Sequence, residues 1–272
     1  LHAFDGSKKT NIVTRDTPNA GVMFDAPDPD AARRFKMIYD VGPGKLRTRF
    51  SADGVRWSEP VEPQGFAGYS GDTHNNAFWD ERLQKYVLFS RAYLGERLIA
   101  RFESDDFQHW KSTGVVMRSS PAEGRVTQTY CMPAFAYGNV YFGYLMMYHP
   151  GRDRAVDCEL AWSPDSITWH RVSPGQPLIP RGERGSGDSM CIYGPAGPAI
   201  AQDGRLLIFY GGSDTTHLGW KRHCLPMLAR LPVDGFVGCE PLDQARSATL
   251  TTQPMLVSDE PLTVSANITN GA

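Results

Sequence analysis

The sequence predicts an all-β protein built as a β-propeller, on three observations. A serine stands six residues ahead of a tryptophan three times, in Ser51–Trp57, Ser104–Trp110 and Ser163–Trp169. Those tryptophans fall 53 and 59 residues apart. A period of roughly 50 residues with several strands per copy is the mark of radially arranged blades. No segment carries sustained helical periodicity, whereas short β-branched or aromatic runs bounded by Gly, Asp, Asn and Pro recur along the chain.

Each repeat reads as an inner strand, a turn, an aromatic-rich strand, and a third strand running into the Ser…Trp turn. The first copy takes residues 21–24, 34–39 and 46–50, and the second 76–79, 85–89 and 98–102. The third takes 131–135, 140–144 and 159–162, and the fourth 197–200, 206–210 and 227–230. The fourth closes on Asp234-Gly235 without a Trp. Asp-Gly pairs at 53–54, 203–204 and 234–235 supply the positive φ that tight turns require. Each turn Trp is expected to pack between strands of its own repeat. Residues 2–13 look like the exit from an earlier repeat. Beyond residue 242 the pattern changes, and 248–255 and 262–267 read as strands of another kind.

Composition excludes several classes. A net charge of −2 gives no basic surface for a nucleic-acid backbone. No apolar run approaches the roughly 18 residues a membrane span needs. Cys131, Cys158, Cys191, Cys224 and Cys239 form no CxxC pair and no zinc spacing, so they are expected to be buried free thiols, with no metal and no cofactor. No signal peptide is visible and the first residue is Leu1. A periplasmic or secreted location is favoured over a cytoplasmic one, and the oligomeric state is left open.

Several stretches carry a family resemblance. They are Asp5-Gly6-Ser7-Lys8-Lys9-Thr10-Asn11-Ile12-Val13, then Phe24-Asp25-Ala26-Pro27-Asp28-Pro29 followed by Arg34-Phe35-Lys36, the Asp-rich Ser…Trp turns, and Asp234-Gly235-Phe236-Val237 followed by Leu250-Thr251-Thr252-Gln253-Pro254. Their order resembles the five-bladed β-propeller glycosidases of the clan holding glycoside hydrolase families 32 and 43. It is most similar to bacterial proteins with a family 32 N-terminal type domain. The resemblance implies five blades, four visible here and one ahead of residue 1. It implies a propeller over 1–242, with 243–272 beginning a β-sandwich or closing the propeller. It also implies a glycosidase acting on an oligo- or polysaccharide. The chain departs from the pattern in lacking Trp-Met-Asn-Asp-Pro-Asn-Gly, a clean Arg-Asp-Pro and a Glu-Cys-Pro. Arg15-Asp16-Thr17 only partly echoes the second, and Glu159 follows Cys158 rather than preceding it. Catalytic roles therefore do not transfer residue by residue.

Glycoside cleavage needs two carboxyl groups across the scissile bond, one protonating the leaving oxygen and the other attacking or activating water. In a propeller such acids sit at the ends of inner strands. That filter selects Asp72 in Gly71-Asp72-Thr73-His74-Asn75-Asn76, Asp188 after Gly185-Ser186-Gly187, and Asp16. Glu159 is added from its context. Sugar-binding candidates are His74 and Asn76 beside Asp72, Arg91 at the end of an aromatic strand, Tyr130 at the start of an inner strand without an acid, and His217 after Gly211-Gly212. Asp25, Asp53, Asp80 and Asp165 read as structural turn residues. A non-catalytic carbohydrate-binding propeller is the alternative. A sialidase-like site would need three clustered arginines, and the sequence shows no clear trio.

Overall fold

The computed structural model describes residues 2–42, 44–69, 71–123, 126–219, 223–241, 243, 246–252 and 254. Those residues form three sheets, antiparallel except for one bridge in the third. The first sheet holds β1 (Gly21–Phe24), β2 (Phe35–Asp40) and β3 (Leu46–Ser51) in that order, with a single 3₁₀ turn at Ala31–Arg33. The second holds β4 (Asn76–Asp80), β5 (Lys85–Tyr93), β6 (Arg97–Ser104) and β7 (Trp110–Met117). The third carries β8 (Gln128–Cys131), β9 (Ala134–Tyr137), β10 (Val140–Tyr148), β11 (Val156–Ser163) and β12 (His170–Arg171). It continues through β13 (Cys191–Tyr193), β14 (Ile200–Gln202), β15 (Arg205–Ser213) and β16 (Cys224–Pro232). The chain divides into two compact units, Leu1–Phe236 and Val237–Ala272.

The all-β expectation holds, and the details correct it in five places. The third and fourth repeats, expected as separate sheets, share one sheet through a single parallel bridge, Val156 to Cys191. The third inner strand is two strands, because Pro133 between them has no N–H to give a ladder. For the same reason the fourth inner strand is not 197–200 but β13 and β14, separated by a segment containing Pro195 and Pro198. Outer strands β7 and β12 follow the second and third Ser…Trp turns, where no strand is expected from sequence. In the tail, residues 248–252 and 254 form no strand, and 248–252 are exposed. The expected strand at 262–267 lies outside the described residues.

The three Ser…Trp turns share one hydrogen-bond pattern. Ser104 Oγ accepts the N–H of Asp106 (3.3 Å) and Phe107 (2.9 Å), and Asp106 Oδ1 accepts those of Gln108 and His109 (both 2.8 Å). Ser51 with Asp53 makes the equivalent bonds, and in the third turn Ser163 Oγ accepts the Asp165 N–H while Asp165 Oδ1 accepts those of Ile167 and Thr168. The residue after each Asp sits at positive φ: 71° at Gly54, 65° at Phe107 and 60° at Ser166. Side chains thus satisfy backbone donors that the reversal leaves without ladder partners. Two of the three tryptophans do not stay within their own repeats. Trp110 joins a core with Ile38 and Leu46 of the preceding repeat, and Trp169 stands edge-on to Phe89 at 5.5 Å.

Successive repeats are joined by packing and by repeated polar contacts. Strand β5 is buried on both faces: Leu88 packs toward the first repeat and Val87 and Phe89 toward the third. Tyr86 OH donates to Asp25 (2.6 Å), and one repeat later Tyr141 OH donates to Asp80 (2.7 Å). Asp25 and Asp80 therefore serve as inter-repeat struts. At Gly21 a Cβ would lie 1.6 Å from the Asn75 carbonyl oxygen, so only glycine lets β1 approach the loop before β4 this closely. Residues of β1, β4 and β9 together with 196–198 line a shared cavity of about 510 Å³. The five cysteines form no disulfide. Cys131, Cys158 and Cys191 are buried as expected, while Cys224 and Cys239 are exposed.

Candidate functional site

Antiparallel pairing puts the start of each inner strand beside the end of the next strand. Asn76 opposes Phe89, Gln128 opposes Tyr148, and Cys191 opposes Ser213. The segments just beyond those ends converge. Asp72 lies in the loop before β4, Arg91 near the end of β5, Tyr130 on β8, Tyr148 at the end of β10, Tyr193 on β13, and His217 beyond β15.

The loop carrying Asp72 is held by Asn75, which is fully buried. Its Nδ2 donates to the carbonyls of Gly71 and Thr73 (both 3.0 Å), and its Oδ1 accepts from Ser90 Oγ at 2.7 Å. This polar clamp fixes Asp72 while leaving its side chain 65% exposed. Arg91, whose side chain is only 4% exposed, meets Asp72 Oδ2 at 3.2 Å. The same guanidinium donates to the Tyr130 carbonyl at 2.7 Å and lies 4.9 Å from the centroid of the Tyr130 ring. Its Nε is buried without a hydrogen-bond partner. A buried cation thus holds an exposed carboxylate and backs an aromatic ring.

Around Tyr130 the aromatic side chains form a cluster. Its ring is 4.7 Å from His217, 6.1 Å from Tyr193 and 6.5 Å from Tyr148. Tyr193 OH and His217 Nδ1 are 2.9 Å apart, and Arg97 lies 5.0 Å from the Tyr148 ring centroid. Burial, partly offset by Arg91, pushes the Tyr130 hydroxyl above its ordinary range. His74 stands edge-on to Tyr130 at 6.4 Å, with Nδ1 3.2 Å from Cys131 Sγ. Burial first, then the charge of Arg91, lowers the His74 pKa. Burial raises Cys131 to about 12, so its sulfur stays a protonated thiol. Together the mouth offers one accessible carboxylate and the partly exposed rings of Tyr130, Tyr193 and His217, backed by the buried Tyr148.

The remaining sequence-selected residues lie elsewhere or are otherwise engaged. Asn76 bridges neighbours, accepting the Ala134 N–H at 3.0 Å and donating to the Ala196 carbonyl. Asp188 is buried, with Oδ1 taken by Ser186 (2.7 Å) and Oδ2 by the Tyr210 hydroxyl (2.8 Å). Burial and that bond to Asp188 raise Tyr210 to about 12. Beside it a cavity of about 520 Å³ is lined by Arg184, Ser189, Met190 and Asp214, among others. Glu159 is buried on β11 and gripped by the Arg171 fork at 2.8 Å on each oxygen. Asp16 occupies an exposed turn at φ 57°.

Residues that sequence reasoning missed are Tyr148, Tyr193 and Arg97, together with the buried Asn75. Their signal was positional: each lies at or beside a strand end on the side where Asp72 lies. A Thr127–His149–Asp157 array (2.9 and 2.8 Å) resembles a nucleophile relay, but Asp157 is clamped by Arg181 at 2.6 Å. Burial opposes its charge, and the bonds from His149 and Arg181 outweigh burial to hold it at about 2. Among the described residues, no three His, Cys, Asp or Glu side chains group as a metal site requires.

No protein-family model matches the sequence, and no curated protein matches it either. Solved structures do resemble it. The β-1,2-mannobiose phosphorylase of Listeria innocua, in complex with β-1,2-mannobiose, shares 18% identity at a TM-score of 0.53, covering 71% of this chain and 51% of that one. A candidate glycoside hydrolase of Parabacteroides distasonis shares 17% at 0.56, covering 81% and 70%. A glycosyl hydrolase of Bacteroides ovatus shares 18% at 0.53, covering 79% and 65%. The chain therefore spans about half to two thirds of these proteins. At such identities the likeness is one of fold: this is an all-β chain of the kind found in glycosidases.

Proposed function

We propose that this chain acts on carbohydrate as a glycoside hydrolase, cleaving a glycosidic bond in an oligo- or polysaccharide at the mouth around Asp72. The carrying observation is the exposed Asp72 carboxylate held by the buried Arg91, beside the Tyr130, Tyr148, Tyr193 and His217 cluster. The fold shared with glycosidases supports the reading. In this proposal the four repeats are blades of a five-bladed propeller of the clan that holds families 32 and 43. Exposed apolar side chains support a further sheet: Val22 and Phe24 on β1, and Ile200, Phe209 and Leu228 on β14 to β16. Tyr130 and Tyr193 carry the sugar face with the buried Tyr148 behind them, Arg91 orients Asp72, and Asp72 is one of the two carboxyls that cleavage demands. Asp188 supports the fourth repeat through Tyr210.

A non-catalytic carbohydrate-binding propeller is the second reading. It is favoured by one observation: Asp188 and Glu159 both have their two oxygens engaged. One experiment separates the two. The protein is screened against aryl glycosides and plant or algal oligosaccharides, with Asp72→Asn and Asp188→Asn alongside. Hydrolysis requires cleavage that falls about 100-fold or more in folded Asp72→Asn. Binding without cleavage supports the second reading, and neither binding nor cleavage removes both.

A further inference from the structure

The fourth repeat carries a second hollow beside the buried Asp188. It has a volume of about 520 Å³ and is lined by Arg184, Gly185, Ser189, Met190 and Asp214. It adjoins the aromatic mouth on two counts. Met190 packs, with Tyr130 and Tyr193, against the buried cluster that holds Tyr148 and Cys191. Asp214 stands three residues ahead of His217, whose ring is 4.7 Å from that of Tyr130. Asp188 fixes the wall: one oxygen takes the Ser186 hydroxyl and the other the Tyr210 hydroxyl, which ties the loop to β15. At Gly212 a Cβ would lie 2.8 Å from the Asp188 Cβ and 3.0 Å from the Gly187 carbonyl oxygen, so only glycine lets the loop lie on the strand this closely. The Met190 N–H then donates to the Ser213 carbonyl at 3.0 Å. Asp214 is the part left open. Its side chain is 35% exposed, its Oδ2 faces the exposed His223 at 3.4 Å, and its Oδ1 is buried without a hydrogen-bond partner.

We propose that this hollow is a second sugar subsite continuous with the mouth, in which Asp214 accepts hydrogen bonds from the ring hydroxyls of a neighbouring sugar unit. Arg184, exposed on the loop before β13, and Ser189 meet the oxygens of the same unit. The inference rests on the carbohydrate reading of the mouth and narrows it: the ligand is an oligosaccharide of two or more units, not a single terminal sugar. An ionised carboxylate accepts and never donates, so it calls for a ligand rich in O–H groups. A carboxylate oxygen shut away from water without a donor is costly, and a pair of sugar hydroxyls supplies the donors that Asp214 lacks. The same charge repels a second anion, so the unit beside Asp214 carries hydroxyls there rather than a carboxylate or a sulfate. The clamp on Asp188 holds Ser189 and Met190 in place before the sugar arrives, which lowers the ordering cost of binding. A concave site with a few placed polar groups beside an aromatic wall is the usual form of a small-ligand pocket.

The test compares chain lengths on the full chain. Plant and algal oligosaccharides of three or more units are set against aryl glycosides of their single units, with kcat/KM read for those cleaved and calorimetric Kd for those only bound. Asp214→Ala and Arg184→Ala, both at solvent-accessible positions, are each expected to weaken the oligosaccharide about tenfold more than the single-unit glycoside, the scale of one hydrogen bond to a charged group. For cleaved sugars the loss should fall on KM, with kcat nearly kept. Equal losses at both lengths, or no loss at either, overturn the subsite. A fall in kcat on the single-unit glycoside also overturns it, because Asp214 would then belong to the reacting centre. Length-dependent losses in Asp214→Ala, with cleavage and binding intact in Asp72→Asn, sink the reading of the mouth around Asp72 and leave the subsite standing. Absence of binding by every sugar overturns the subsite as well.

Discussion

Two arginine–carboxylate pairs in this molecule share their chemistry and differ in almost everything else. Arg171 grips Glu159 with two parallel bonds of 2.8 Å and also reaches Glu123 at 2.7 Å, with Glu159 only 4% exposed. Arg91 touches one oxygen of Asp72 at 3.2 Å and leaves that carboxylate open to water. In the first pair every lone pair facing the cation is used, so the ions can only hold strands β11 and β12 together. In the second the cation is buried and the anion free, so the pair still has capacity to bind something. Burial of the acid, not the presence of an arginine, separates a strut from a site.

The comparison breaks most sharply at Arg171. Arg171→Met would leave Glu159 and Glu123 facing one another without a cation. It is expected to cost about 3–5 kcal/mol, read by urea denaturation, because an unpaired buried charge is more costly than the pair is worth. An effect below about 1 kcal/mol would show that water reaches Glu159 and that the two pairs are alike. Glu159→Gln keeps the shape and loses the charge; roughly 1–3 kcal/mol is expected, with sugar cleavage or binding retained by the remaining folded protein. Asp72→Asn is the mirror image. Its exposed, solvent-screened pair should contribute less than about 1 kcal/mol to stability while function is lost.

The smallest effect sharpens the contrast through pH. His74 has a folded pKa below its unfolded value of 6.5, because burial and Arg91 disfavour the charged ring. The unfolded chain therefore takes up the proton first. The stability contributed by neutral His74 is complete above that value and declines as pH falls below it. Thermal midpoints of the wild type should drop between pH 7 and pH 5 more than those of His74→Gln. Parallel curves would mean that His74 takes up its proton as readily in the fold as in the unfolded chain.

The two pairs also show how far the sequence could be read. The Ser…Trp turns were legible because their bonds are local: Ser104, Asp106 and the N–H groups they bind lie within five residues. The convergence of Asp72, Arg91 and Tyr130 was half legible, since strand order alone places those ends on one side. The strut role of Glu159 was hidden, because its partner Arg171 lies 12 residues on and Glu123 36 residues before it.

Periodicity and turn chemistry, both short-range properties of the chain, determined the repeated antiparallel β architecture and the positions of most strands. Only tertiary packing decided which carboxylates are spent on holding strands and which face solvent. The reason is that a charge's role depends on the distance to its counter-charge and on the water left around it. Both are set by residues far away in the chain, such as Arg171 for Glu159 and Asn19 for Asp72.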